Sequence, residues 1–159
     1  MKVNDMKKQS MTLVTAALAV GLLGLAGCSH MGGMGMGMAH AQGGMQRVML
    51  SGDHELPPVK SSGSASGDVT VKPDGSVSGM IKVTGFTPTA AHIHQGAAGA
   101  NGPVIVPMVK QGDDTFGFAP TAKMTPEQMQ AYKAGNTYLN VHSAAHPGGE
   151  VRVQLKGGM

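Results

Sequence analysis

The segment Thr137-Tyr138-Leu139-Asn140-Val141-His142-Ser143-Ala144-Ala145-His146-Pro147-Gly148-Gly149-Glu150-Val151-Arg152-Val153-Gln154-Leu155 decides the fold. Successive side chains of an extended strand point to opposite faces. Leu139 and Val141 therefore share one face, and Tyr138, Asn140 and His142 share the other. Pro147-Gly148-Gly149 supplies a turn. Beyond it Val151, Val153 and Leu155 alternate with Arg152 and Gln154, which are expected to face outward. Two alternating runs around a tight turn predict an antiparallel β-hairpin with His146 in its loop. His142 falls where a strand enters that loop, and such positions host ligands more often than strand centres do.

The same pattern extends upstream. Arg47-Val48-Met49-Leu50 is a short apolar run, and Ser64 to Val71 ends in the turn Lys72-Pro73-Asp74-Gly75. Ser76 to Thr84, Ala90 to His94, Val104 to Val106 and Thr115 to Ala119 add further short strands. Short strands separated by turn residues predict an all-β domain, an antiparallel β-sandwich. One helix interrupts it. Thr125-Pro126-Glu127-Gln128 has a capping hydroxyl, Pro at the first helical position and Gln three residues after the Thr, and Ala134-Gly135 supplies the stop. A helix from Pro126 to Ala134 is expected, serving as a crossover between strands. With no Trp, two Tyr and three Phe, the core must be built from Val, Ile, Leu, Met and Ala. That is enough for a domain of about 110 residues.

The N-terminus has a different character. Lys2, Lys7 and Lys8 precede an uncharged apolar run from Met11 to Gly27, closed by Leu25-Ala26-Gly27-Cys28. Basic residues, an apolar stretch and small residues in that order form a secretory signal. The closing four residues resemble the lipobox of bacterial lipoproteins, which implies cleavage before Cys28 and lipid on its thiol and new amine. An uncleaved anchor helix is the plainer alternative. The resemblance implies a cell-envelope protein held to the membrane by its lipid, facing the periplasm or the surface. Ser29 after the cysteine resembles the pattern sorted to an outer membrane where the host has one.

Cys28 is the only cysteine. If it carries lipid, the mature chain has no disulfide and no thiolate ligand, and a metal must rely on His, Met, carboxylate or backbone oxygen. Removing Lys2, Lys7, Lys8 and Asp5 leaves nine basic against eight acidic residues. That near-neutral balance gives no footprint for nucleic acid.

Residues 29–45 contain five Met, six Gly and two His. Such glycine density predicts a flexible tether between lipid and domain. Tethers usually use Ser, Gly, Asn or Pro, whereas the thioethers of Met31, Met34, Met36 and Met38 are soft ligands suited to Cu(I), with His30 and His40 able to add imidazole. Copper capture and a low-complexity linker are both compatible with this composition. The expected organisation is thus a signal over 1–27, a lipidated Cys28 and tether over 28–45, and one domain over 46–157.

The candidate ligands of the domain are histidines. His92 and His94, two apart on a strand, share a face, and His142 from a neighbouring strand would complete three nitrogens suited to copper, zinc or another divalent metal. His146 could be a fourth ligand or support the others. The competing explanation is structural, with each imidazole bonded to the backbone of an adjacent loop and Gly96, Gly99 and Gly102 present for the loop's shape. Glu150 and Arg152 read as an ion pair or a solvated face. No nucleophile with an evident base, no paired carboxylates and no phosphate-binding loop is present, since Gly96 to Gly102 lacks both the strand-to-helix setting and a Lys. A binding protein is favoured over an enzyme.

Three separated segments carry a resemblance. Leu50-Ser51-Gly52-Asp53-His54-Glu55-Leu56-Pro57-Pro58-Val59, then Ala91-His92-Ile93-His94 with Gly99 and Gly102-Pro103-Val104, then Tyr138 to His142 with His146 to Arg152, look like the CHRD domain. This family is named for the repeats of chordin and also occurs as single-domain bacterial proteins. The resemblance covers Val48 to Leu155 and implies an immunoglobulin-like β-sandwich. In chordin such domains accompany modules that bind growth factors, so a protein or glycan partner is a second expectation beside metal. His54 stands where the family pattern has Gln. The two histidine segments also resemble, more loosely, the copper-ligand segments of copper-zinc superoxide dismutases. That likeness implies a third option, a copper-dependent dismutase-like enzyme, and lacks the dismutase disulfide and an obvious zinc cluster.

Overall fold

The computed structural model describes residues 44–158. Cys28, Met31, Met34, Met36, Met38, His30 and His40 lie outside these residues, as does the whole expected signal segment. Among the described residues no helix is long and apolar enough to cross a membrane.

Nine strands form the domain: β1 Gly44–Ser51, β2 Ser64–Val71, β3 Val77–Thr84, β4 Pro88–Gln95, β5 Val104–Pro107, β6 Val109–Lys110, β7 Thr115–Gly117, β8 Thr137–Ser143 and β9 Val151–Gln154. A 3-10 turn, Gly52–His54, follows β1, and the helix α1 Pro126–Lys133 precedes β8. The chain is all-β with one short helix, and every strand pair is antiparallel. β1 begins at Gly44, two residues inside the stretch expected as tether, because Gly44 and Met45 pair with Val71 and Thr70. The short β6 and the 3-10 turn have no periodicity to announce them.

The strand order is β5-β4-β8-β9-β1-β2-β3-β7-β6. A single residue pair, Ser51 with Arg152, joins β9 to β1, so the sheet folds at that corner into two layers. β5-β4-β8-β9 forms one layer and β1-β2-β3-β7-β6 the other. On the opposite side the chain passes from β5 through Met108 into β6, and the Met108 amide donates to Ala91 O at 3.0 Å. The sheet is nearly closed.

Alternation explains the core. Ala91, Ile93, Leu139, Val141 and Val151 from the first layer meet Val48, Leu50, Val69, Ile81, Val83 and Phe116 from the second, all buried in one cluster. Each of the Val, Ile, Leu and Phe side chains stabilises the fold by roughly 1.5–3 kcal/mol on burial. Tyr132 of α1 and Leu155 belong to the same cluster. The α1 capping box forms as expected: Gln128 N donates to Thr125 Oγ1 at 3.3 Å, and Thr125 N donates to Gln128 Oε1 at 2.8 Å. Ala134 caps the other end and Gly135 follows with φ 73°.

The outer face of the first layer departs from the expectation for Arg152. Residues paired across β4, β8 and β9 share a face: His92 with Asn140 and Arg152, His94 with Tyr138 and Gln154, and Ala90 with His142. These side chains do point away from the core. Arg152 is nevertheless only 2% exposed, because the loop 96–103 folds over it. Its guanidinium donates from Nη1 to Asn101 Oδ1 at 3.0 Å and from Nη2 to Ala100 O at 2.9 Å, and its Cζ lies 3.4 Å from the centre of the Tyr138 ring. Glu150 is also buried, accepting from Ser61 Oγ at 2.7 Å. The expected ion pair or solvated face at Glu150 and Arg152 is therefore replaced by two separately bonded buried charges. The ion pairs among the described residues are Arg47–Asp68 and Lys82–Asp114, both on the second layer's side.

Candidate metal centre

The site lies on the outer face of β4 and β8. His92 and His94 project together from β4 by strand alternation, and His142 ends the run of outward residues on β8. One ligand atom from each of the three lies within 4.8 Å of the others. The ring centres are 4.9 Å apart for His92–His142, 5.7 Å for His92–His94 and 6.1 Å for His94–His142. His94 is buried, while His92 and His142 are half-buried.

Hydrogen bonds fix the ring protons, since a carbonyl can only accept. His94 Nδ1 donates to Gly102 O at 2.9 Å, and His142 Nδ1 donates to Pro147 O at 2.9 Å. In a neutral imidazole this leaves Nε2 of each ring as an acceptor. His142 Nε2 lies 3.1 Å from His92 Nδ1, so His92 Nδ1 donates to it. His94 Nε2 is buried and has no partner. A backbone carbonyl that holds one ring nitrogen protonated and turns the other toward a common point is the usual support of a metal-binding histidine.

The electrostatics favour neutral rings. Burial lowers His92 to about 4, assisted by repulsion from His142 and His94. Burial also lowers His94, against the opposing effect of its bond to Gly102 O. Neutral imidazoles present lone pairs without first having to lose a proton.

Loop 96–103 gives the site its second wall. Gly102 N donates to the Tyr138 hydroxyl at 3.2 Å, and Asn101 Nδ2 donates to Leu56 O at 2.9 Å, tying this loop to the one after β1. A Cβ on Gly102 would run into Gln95 O, so only glycine brings the carbonyl so close to His94. The Tyr138 ring stacks on His94 with centres 4.8 Å apart and planes 9° from parallel. β4 and β9 flank β8, so His94 and Arg152 cover opposite faces of the phenol.

His146 stands outside the three-histidine group. Its carbonyl accepts from Ser143 N and Gly149 N and its amide donates to Ser143 Oγ, closing the β8–β9 loop. His54 is exposed, with Nδ1 3.4 Å from Ser51 Oγ, beside a shallow cavity of about 310 Å³ that it lines with Ala98, Gly99 and Arg152. Sequence reasoning passed over Glu55, Tyr138, Asn140 and Arg152 as parts of the site. The signal was present in Tyr138 and Asn140, which the alternation puts on the same face as His142.

Fold and site together define a small antiparallel β-sandwich with an imidazole triad, able to hold a metal ion, on one outer face. The CHRD domain model matches residues 47–155, and the chain belongs to the CHRD domain family. Searches of curated proteins and of solved structures returned no match.

Proposed function

We propose that this CHRD domain is a metal-binding module of the cell envelope, holding a divalent transition metal, copper or zinc, through His92, His94 and His142. The observation that carries this reading is the convergence of three imidazole nitrogens within 4.8 Å, two of them set as acceptors by Gly102 O and Pro147 O. A metal–nitrogen bond of about 2.0–2.1 Å requires nitrogens within roughly 4.2 Å of one another. Small ring rotations close the remaining gap. The lipobox-like Leu25-Ala26-Gly27-Cys28 supports a lipid anchor, and the methionines from Met31 to Met38 support a separate capture of Cu(I) by the tether.

The test is retention of metal. Purified mature protein incubated with Cu(II) or Zn(II) and then desalted should keep one ion per chain, and His92→Ala with His94→Ala should keep none. Removing residues 30–43, which leaves β1 whole, should weaken Cu(I) binding and leave Zn(II) binding unchanged. A second reading is a module for a protein or glycan in which the histidines serve only the fold. The direct His92–His142 hydrogen bond favours it. In that case the double variant loses stability while neither protein retains metal.

A further inference from the structure

Asn140 is a side chain that the three-histidine reading leaves unused. It is 2% exposed and sits on the floor of the site. It pairs directly with His92 across the β4–β8 ladder and precedes His142 by two residues on β8. Directly paired side chains have Cβ atoms about 4.5–5.5 Å apart.

The orientation of its amide is fixed by what surrounds it. Asn140 Nδ2 faces Gly148 O at 3.5 Å. It also lies beside Glu55, since a Cβ on Gly149 (φ 134°) would collide with both Glu55 Oε1 and Asn140 Nδ2. Carbonyl and carboxyl oxygens call for the NH₂ end of an amide, so Oδ1 must point the other way, toward the imidazoles. There it has no donor. Asn140 Oδ1 and His94 Nε2 are both buried without a hydrogen-bond partner, and both are acceptors, because the one proton of neutral His94 is committed to Gly102 O. Two buried acceptors with no donor between them destabilise the fold, because each has given up its bond to water and gained none in return. A cation bound between them removes that cost.

We infer that Asn140 Oδ1 is the fourth ligand, completing a site of three imidazole nitrogens and one carboxamide oxygen, its NH₂ end turned away toward Gly148 O. The inference rests on the metal reading of the histidine triad and deepens it. An oxygen ligand makes the site harder and suits Cu(II) or Zn(II) over Cu(I). The domain would therefore hold the oxidised ion, and the methionine segment the reduced one.

Wild-type protein, Asn140→Ala and Asn140→Asp are loaded with Cu(II) or Zn(II), and affinity is measured by competition with a chelator. The Cu(II) electron paramagnetic resonance spectrum is recorded for each. Asn140→Ala should weaken Zn(II) binding on the order of 10- to 100-fold and alter the Cu(II) hyperfine splitting. Asn140→Asp, which puts a carboxylate oxygen in the same place, should restore affinity with a spectrum distinct from both. If wild type binds one ion and the variants match its affinity and spectrum, Asn140 is no ligand and the three-histidine reading survives. If wild type binds none, both fall. Should Asn140→Ala fail to fold, Asn140→Asp alone decides: an unchanged Cu(II) spectrum overturns the inference.

Discussion

The sandwich has two outer faces with the same strand alternation and opposite fates. On the β1-β2-β3 layer the outward residues are Met45, Met49 and Met80, 70%, 75% and 55% exposed, and the exposed Arg47, whose Nε lies 3.5 Å from the half-buried Asp68. On the β4-β8-β9 layer the outward residues are His92, His94, Tyr138, Asn140 and Arg152, with Tyr138, Asn140 and Arg152 each 2% exposed. Strand period decides only whether a side chain faces the core. Whether an outward side chain meets water is decided by loops, here 96–103 and the segment after β1. A loop can cover polar side chains only where they bond to it, and Arg152, Tyr138 and Gln154 do so. Gln154 Nε2 donates to Gly96 O at 2.9 Å and to Gly135 O at 2.8 Å.

The sharpest test of this contrast truncates the two arginines in turn. Arg152→Ala leaves Ala100 O and the Asn101 carboxamide oxygen without their donors and should cost about 2–5 kcal/mol in urea unfolding. Arg47→Ala should cost less than about 0.5 kcal/mol, since an exposed ion pair contributes little. Next in size, Gly102→Ala should cost about 1–3 kcal/mol and loosen His94 by displacing its carbonyl partner. Zn(II) at 100 times its dissociation constant should stabilise wild type by about 2.7 kcal/mol and leave His92→Ala with His94→Ala unmoved.

The remaining effect is one of pH. His92 is held at about 4 in the fold against 6.5 for an ordinary imidazole, so between these values the unfolded chain binds the proton that the folded one refuses. The metal-free domain should lose stability as pH falls from about 6.5 to about 4 and show no such loss above. Burial of Glu55 raises its pKa and works in the opposite direction, so the informative quantity is the difference between wild type and His92→Leu. The fall should be shallower in the variant. An equal fall would assign the effect to other groups.

Most of the fold was legible because strand period and turn residues are local signals. The Leu139–Val141 and Val151–Leu155 faces, the Thr125 capping box and the turn at Pro147 all follow from neighbouring residues. The triad of His92, His94 and His142 was legible in part, because two of its members lie on one strand and the third on a strand of matching pattern. The covering of Arg152 was not. It depends on Asn101 and Ala100, some fifty residues away in sequence, and no periodicity encodes where a glycine-rich loop will lie. Asn140 was hidden for a related reason: its significance comes from an absent donor, which only the packed neighbours Glu55, Gly148 and His94 make visible.

The most direct test of the metal centre is the protonation pattern of its histidines, read from ring nitrogen–proton correlation spectra of ¹⁵N-histidine-labelled protein during Zn(II) titration. Without metal, His94, His142 and His92 should each carry their proton on Nδ1. With one equivalent of zinc, His94 and His142 should keep Nδ1–H while their Nε2 resonances shift, and the proton of His92 should move from Nδ1 to Nε2. Three ring systems that pass through the titration unshifted would show that these imidazoles serve the fold alone.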